Sequence, residues 1–174
     1  YNGGYPGSQS GGASSPFSYS YASSTSGETL IYGNVIDGYN GFGIETCPPG
    51  SAWGTGGYGK NVHIYNNTIV TRPGDGNYDA ISLDWETGKT SGNQVYNNLF
   101  VSSSTAGRTI SGICDKQGNY ATADTTVFVN YANRDLRLAR SVGAGTNLSA
   151  PYNTDMNGNI RSADGNWDIG AYEY

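Results

Sequence analysis

Strong helix formers are scarce in this sequence: methionine occurs once in 174 residues, while glycine occurs 27 times and tyrosine 15 times, among abundant Asn, Ser and Thr. Such a composition favours strands and turns, so almost no helix is expected. Basic residues are also short, with 9 Lys and Arg against 14 Asp and Glu, giving a formal charge of -5 and a pI near 4.6. That balance excludes nucleic acid as a partner, because its binders need a basic stripe to displace counterions. An acidic polymer would need a local basic cluster or a bound cation to overcome the overall sign. No apolar run is long enough to span a bilayer. Cysteine occurs twice, at Cys47 and Cys114, in neither a CxxC nor a zinc spacing, which leaves one disulfide or two buried thiols.

What is present is a repeat. Ile31-Tyr32-Gly33-Asn34-Val35-Ile36-Asp37, Ile64-Tyr65-Asn66-Asn67-Thr68-Ile69-Val70 and Val95-Tyr96-Asn97-Asn98-Leu99-Phe100-Val101 are near-copies. The asparagines Asn34, Asn67 and Asn98 recur at almost even intervals, and such a period marks a solenoid or array. Each copy reads as strand, Asn-containing turn, strand, loop and strand, the last strands covering 42–45, 80–84 and 109–113. Three short strands per repeat with no helical stretch between them predict a coil of triangular section, stacked as parallel strands. The asparagine column has a use there, because Asn tolerates the left-handed conformation, bonds the backbone left free at a tight turn, and bonds to its copies along the axis. Tyr32, Tyr65 and Tyr96 form a parallel column of structural rings.

Residues 1–27 form a Gly/Ser/Tyr-rich leader or an incomplete first coil, since Phe17 to Tyr21 alternates with period two. Coils occupy 28–126, and 127–174 is a closing segment of the same domain. The start at Tyr1, without methionine or signal peptide, reads as a processed, trimmed or partial product. An acidic, Lys-poor, Tyr/Asn/Gly-rich chain suits a secreted or cell-surface setting. Comparable strands two coils apart precede Cys47 and Cys114, so their alpha carbons stand about 10 Å apart. A disulfide, which needs less than about 7 Å, requires a bent loop.

The Asn-Asn-Thr-Ile and Asn-Asn-Leu-Phe repeats resemble those of the right-handed parallel β-helix proteins of the pectate-lyase-like superfamily. The tail, Asp155-Met156-Asn157-Gly158-Asn159-Ile160-Arg161 followed by Asp168-Ile169-Gly170-Ala171-Tyr172-Glu173, is similar to the terminal segment of many secreted bacterial β-helix proteins. The resemblance spans about residues 28–174. It implies an all-β, right-handed parallel β-helix of three sheets and few coils, with an Asn ladder between the second and third sheets and an irregular closing segment. It also implies a saccharide cleft on the outer face of the first sheet.

Within that cleft, alternation turns Phe42, Ile44, Ile81 and Leu83 inward and places Glu45 and Asp84 outward on adjacent coils, about 5 Å apart. Such a pair, widened by Asp79 and Glu86, suits general acid and base work or calcium binding by Glu45, Asp84 and Glu86. Lys89 and Arg108 are candidate bases for a lyase. Trp53, Tyr58, Tyr78 and Trp85 can stack on the apolar faces of sugars. The bland alternatives are a solvated acidic face, exposed loop cations and aromatics that cover the core. His63, the lone histidine, points outward from the second sheet as a structural residue. Asp155 to Asn159 lacks the terminal glutamate of a calcium loop and reads as a turn. Asn66 and Asn147 fit the glycosylation rule. Two functions compete: a polysaccharide-directed protein that cleaves or binds glycan, with calcium as a possible cofactor, or a structural subunit that self-associates through its ends into a fibre or adhesin.

Overall fold

A computed structural model describes residues 17–20, 28–47, 60–75, 78–83, 91–162 and 165–174. In chain order the strands are β1 (Phe17–Ser20), β2 (Thr29–Tyr32), β3 (Val35–Asp37), β4 (Ile44–Cys47), β5 (Val62–Tyr65), β6 (Thr68–Val70) and β7 (Ile81–Ser82). Then follow β8 (Gln94–Tyr96), β9 (Leu99–Val101), β10 (Ile110–Ser111), β11 (Asp115–Gln117), β12 (Tyr120–Thr122), β13 (Phe128–Asn130) and β14 (Asp135–Leu138). Helix among the described residues amounts to three single 3-10 turns. The chain visits three parallel sheets in rotation: β1-β4-β7-β10, β2-β5-β8-β11 and β3-β6-β9-β12. This all-β arrangement is compatible with a β-helix, and β13 and β14 pair separately as an antiparallel ribbon.

Register follows from the repeat. Ile31, Ile64 and Val95 align in the second sheet, Ile36, Ile69 and Phe100 in the third, and Ile44, Ile81 and Ile110 in the first. These residues meet in one core shared by all three sheets, where Ile44, Ile64, Ile69, Ile81 and Val95 have no exposed surface. Burying an aliphatic side chain of this size contributes about 1.5–3 kcal/mol, so the aligned rows dominate the stability of the stack. Phe42 differs from its expected inward position: it lies ahead of β4, partly exposed, and packs edge-on against Tyr78 at 5.3 Å.

The asparagine column has four members. The backbone N–H and Nδ2 of Asn34 donate to Oδ1 of Asn67 at 3.0 and 2.9 Å, those of Asn67 to Asn98 at 3.0 and 2.9 Å, and those of Asn98 to Asn119 at 2.9 and 2.9 Å. The two tasks expected of one asparagine are divided between neighbours. The second residue of each pair makes the column, while the first takes the left-handed backbone: Gly33 (φ 65°), Asn66 (52°), Asn97 (55°) and Gly118 (60°). That explains why the copies read Gly-Asn, Asn-Asn, Asn-Asn and Gly-Asn, since glycine and asparagine are the residues that adopt this conformation readily. At Gly118 a side chain is excluded twice over, because a Cβ there would stand 2.5 Å from Oδ1 of Asn97.

The two inner strands of the third sheet, β6 and β9, are buried on both faces, as their uninterrupted Thr-Ile-Val and Leu-Phe-Val sequences require. Val70, Leu99 and Val101 turn away from the shared core and form a second one with Val127, Phe128, Leu136, Leu138, Val142 and Ile169. The C-terminal segment is thereby seated on this sheet. Ala171 N–H donates to Thr68 Oγ1 (2.9 Å) and Gly170 N–H to the Asn97 carbonyl (2.8 Å). Arg161, 1% exposed, holds the segment together through the carbonyls of Asp168 (3.1 Å) and Gly170 (2.9 Å) and an ion pair with Glu173 (3.2 Å). Asp155 is a turn residue, its Oδ1 accepting from the N–H groups of Asn157 (2.8 Å) and Asn159 (2.7 Å).

On the second sheet, Tyr65 and Tyr96 stack at 5.3 Å and 19°, and Tyr152 stands edge-on to Tyr32 and Tyr65. His63 lies on the same face, stacked on Tyr65 at 5.4 Å with Nδ1 2.6 Å from Glu28. Cys114 carries a free thiol packed against the shared core, so it forms no disulfide with Cys47. Burial pushes that thiol above its usual pKa.

Candidate functional site

The loops that lead from the third sheet into the first bring the remaining chemistry together. Three of them, between β3 and β4, β6 and β7, and β9 and β10, join the same two sheets. Arg72 makes a fork-shaped pair with Asp37, Nε to Oδ1 at 2.6 Å and Nη2 to Oδ2 at 2.9 Å, and its Nη1 donates to the Tyr131 carbonyl at 2.7 Å. Its guanidinium lies 4.1 Å over the Tyr131 ring, and Arg134 adds a second contact to Asp37 at 3.0 Å. With all its reach engaged, this cluster braces the loop and offers no free cation.

The acids nearest the first sheet are likewise occupied. Asp75 Oδ2 accepts from the N–H groups of Tyr39 (3.3 Å) and Arg72. Asp79 accepts from the Thr109 hydroxyl of the next loop, and Arg108 Nε donates to the Ser104 carbonyl at 3.2 Å. Tyr78, beside Asp79, is 39% exposed and braced by Phe42. Tyr39 is 5% exposed, and its hydroxyl has no hydrogen-bond partner. Burial, followed by the negative charges of Asp75 and Asp79, pushes its phenol far above its usual pKa.

Glu45 sits half-buried on β4, but its neighbour across the sheet is Ser82, and Ser82 in turn pairs with Ser111. The pairing thus sets Glu45, Ser82 and Ser111 side by side, and Asp84, the other member of the expected carboxylate pair, comes two residues after Ser82 in the sequence. Asp84 itself lies outside the described residues, as do Trp53, Tyr58, Trp85, Glu86 and Lys89. Asp79 falls three residues before the partner of Glu45, which puts the two alpha carbons about 11 Å apart by strand rise and spacing.

Among the described residues no group of three His, Cys, Asp or Glu side chains converges to hold a metal ion. Of the expected calcium ligands Glu45, Asp84 and Glu86, only Glu45 lies among the described residues. Of the expected site residues, Tyr78 and Asp79 are brought together at the entrance to β7, with Glu45 on the neighbouring strand. Arg108 is turned to its own loop. Thr109, Ser82, Ser111 and Tyr39 went unnoticed in the sequence. Thr109 was detectable, because it follows Asp79 by 30 residues, nearly one repeat.

No family model, curated protein or solved structure matches the chain. The fold and the side chains thus define an all-β protein of three parallel sheets, and its function is argued from the site alone. Among the described residues no helix is long and apolar enough to cross a membrane.

Proposed function

We propose that the chain is an extracellular, polysaccharide-binding protein of the right-handed parallel β-helix type, similar to the pectate-lyase-like superfamily in its asparagine repeats and tail. The glycan lies across the loops that enter the first sheet. The observation that carries this reading is Tyr78: an exposed ring, held edge-on by Phe42, beside a carboxylate and one strand from Glu45. Sugars are bound in this way, their C–H faces on a flat ring and their hydroxyls on nearby carboxylates and hydroxyls.

Binding is favoured over cleavage by the described groups. Asp79 accepts from Thr109 and Arg108 donates to a backbone carbonyl, so neither is poised as a free acid or base. Affinity electrophoresis through gels containing neutral or uronic-acid polysaccharides tests the reading. Retardation by at least one polymer is expected, with Tyr78→Ala weakening it by about tenfold and Glu45→Gln by less. If no polymer retards the protein, or Tyr78→Ala changes nothing, the reading fails. Release of new reducing ends or unsaturated uronates would move the function to cleavage.

A further inference from the structure

At the β10, β11 and β12 end of the strand stack a charged side chain stands in an aliphatic row. In the second sheet the row that faces the shared core runs Ile31, Ile64, Val95 and then, in β11, Lys116. A charged residue thus occupies the position that three aliphatic residues hold on the preceding steps. The corresponding row of the third sheet ends in the small Ala121. In the first sheet no described strand follows β10, so this step of the stack is incomplete.

Lys116 crosses that gap. Its ammonium donates to the Ile110 carbonyl at 2.8 Å, linking an edge strand of the second sheet to the edge strand of the first. The choice of acceptor is informative. The carbonyls of Thr109 and Ser111 accept from Ile81 and Leu83 of the inner neighbour at 3.3 and 3.1 Å. Carbonyls alternate along a strand, so that of Ile110 points the other way, to the free edge where another strand would add. The aliphatic stem of Lys116 reaches from the Val95 row to Ile110, which packs against the core, and its charge stands at the opening.

We propose that Lys116 is the stop that keeps this end of the stack from pairing with a second copy of the chain. It occupies an edge carbonyl that a strand added to the first sheet would use, carries its stem past the end of the aliphatic row, and puts an ammonium where an incoming sheet would have to desolvate it. An inward-directed charge on an edge strand is a known defence against sheet-to-sheet association. The partner it excludes is fitted to the edge by construction, because any copy offers the same strand spacing, aliphatic rows and asparagine column. The inference is independent of glycan binding.

Sedimentation velocity over a concentration series, with electron microscopy of the same samples, tests it. Lys116→Met should self-associate at least about tenfold more tightly than the parent, as dimers if like ends meet and as filaments if opposite ends meet. Lys116→Arg should behave as the parent, and adding Ala121→Lys to the Met variant should restore parent behaviour. A Lys116→Met protein with the parent's circular dichroism and unchanged sedimentation across the series overturns the proposal. If the Met variant does not fold, Lys116→Gln, which keeps a donor but no charge, decides it by the same comparison.

Discussion

Replacing Asn98 by alanine should be far more damaging than the same change at Asn34, although the two occupy equivalent places in the repeat. Asn98 has no exposed surface, and its Oδ1 accepts from both the backbone N–H and Nδ2 of Asn67. Its own Nδ2 donates to the carbonyls of Ile64 (2.8 Å) and Tyr96 (3.0 Å) and to Asn119 (2.9 Å). Alanine strands two buried N–H groups of Asn67, that of its backbone and one of Nδ2, while the strand ladder keeps the Ile64 carbonyl bonded and Tyr96 keeps the Asn66 N–H at 3.1 Å. At about 1–3 kcal/mol for each orphaned group, the loss comes to about 3–5 kcal/mol. Asn34 is the first member of the column and only half-buried, so Asn34→Ala loses two donated bonds that water can replace, costing about 1 kcal/mol. With an m-value of about 2–3 kcal/mol/M in urea, the Asn98 variant should unfold about 1–2 M earlier than the parent, and the Asn34 variant less than 0.5 M earlier by the same approximate arithmetic. Equal midpoints for the two variants would refute the view that position in the column sets the cost.

Gly170→Ala should destabilise by about 2 kcal/mol or more in the same assay, because Gly170 has φ 109° and a Cβ there would meet Thr68 Oγ1 at 2.8 Å and Leu99 Cβ at 3.1 Å. Asp155→Asn should cost about 2 kcal/mol at neutral pH, since both carboxylate oxygens accept hydrogen bonds. Burial raises the pKa of Asp155, but the donors from Asn159, Glu173 and Asn157 together outweigh it and hold it below the ordinary 3.8. Its stabilisation is thus complete above pH 3.8 and lost as pH falls through the lower folded value, so parent and Asp155→Asn stabilities, followed by urea unfolding, should converge in acid. Secreted from a glycosylating host, the protein should carry glycan at exposed Asn147 and none at Asn66, which is 1% exposed with its amide donated to Tyr152; peptide mass mapping reads this directly.

The repeat was legible because a strand stack copies the same physical demand at each step. Tyr-Asn-Asn marks a turn that needs one left-handed residue and one amide, and aliphatic residues two apart mark the core side. The fourth step is hard to see because it comes only 21 residues after the third and puts Lys116 and Gln117 where an aliphatic residue and a tyrosine stand in the earlier copies. Its Gly118-Asn119, matching Gly33-Asn34, was the signal that remained. The second core was hidden for a different reason. Val127, Phe128, Leu136, Leu138 and Ile169 come from a segment with no period, so nothing local tells which sheet they cover. The register of the first sheet is hard to read from alternation because its strands are as short as Ile81–Ser82 and Ile110–Ser111.

Two of the three outer faces are already committed, which narrows where function can lie among the described residues. The third sheet is covered by the C-terminal segment, and on the second Tyr65 and Tyr96 are tied to Gln94 and Asp115, with Tyr152 edge-on to Tyr32 and Tyr65. The first sheet and its loops carry two of the three buried polar groups that lack partners, the hydroxyls of Tyr39 and Ser111. An orphaned hydroxyl in a core costs about 1–3 kcal/mol and removing it relieves that cost. Tyr39→Phe preserves the ring and should therefore stabilise the protein by about 1 kcal/mol, measured by urea unfolding; a loss of that size would mean that the hydroxyl holds a bond. The same variant also separates packing from function. If it gains stability and keeps its retardation in polysaccharide gels, the hydroxyl is a passive defect of the fold. If it gains stability and loses retardation, the unsatisfied group is part of how the loops meet glycan, a cost of the kind that functional sites retain against the interest of the fold.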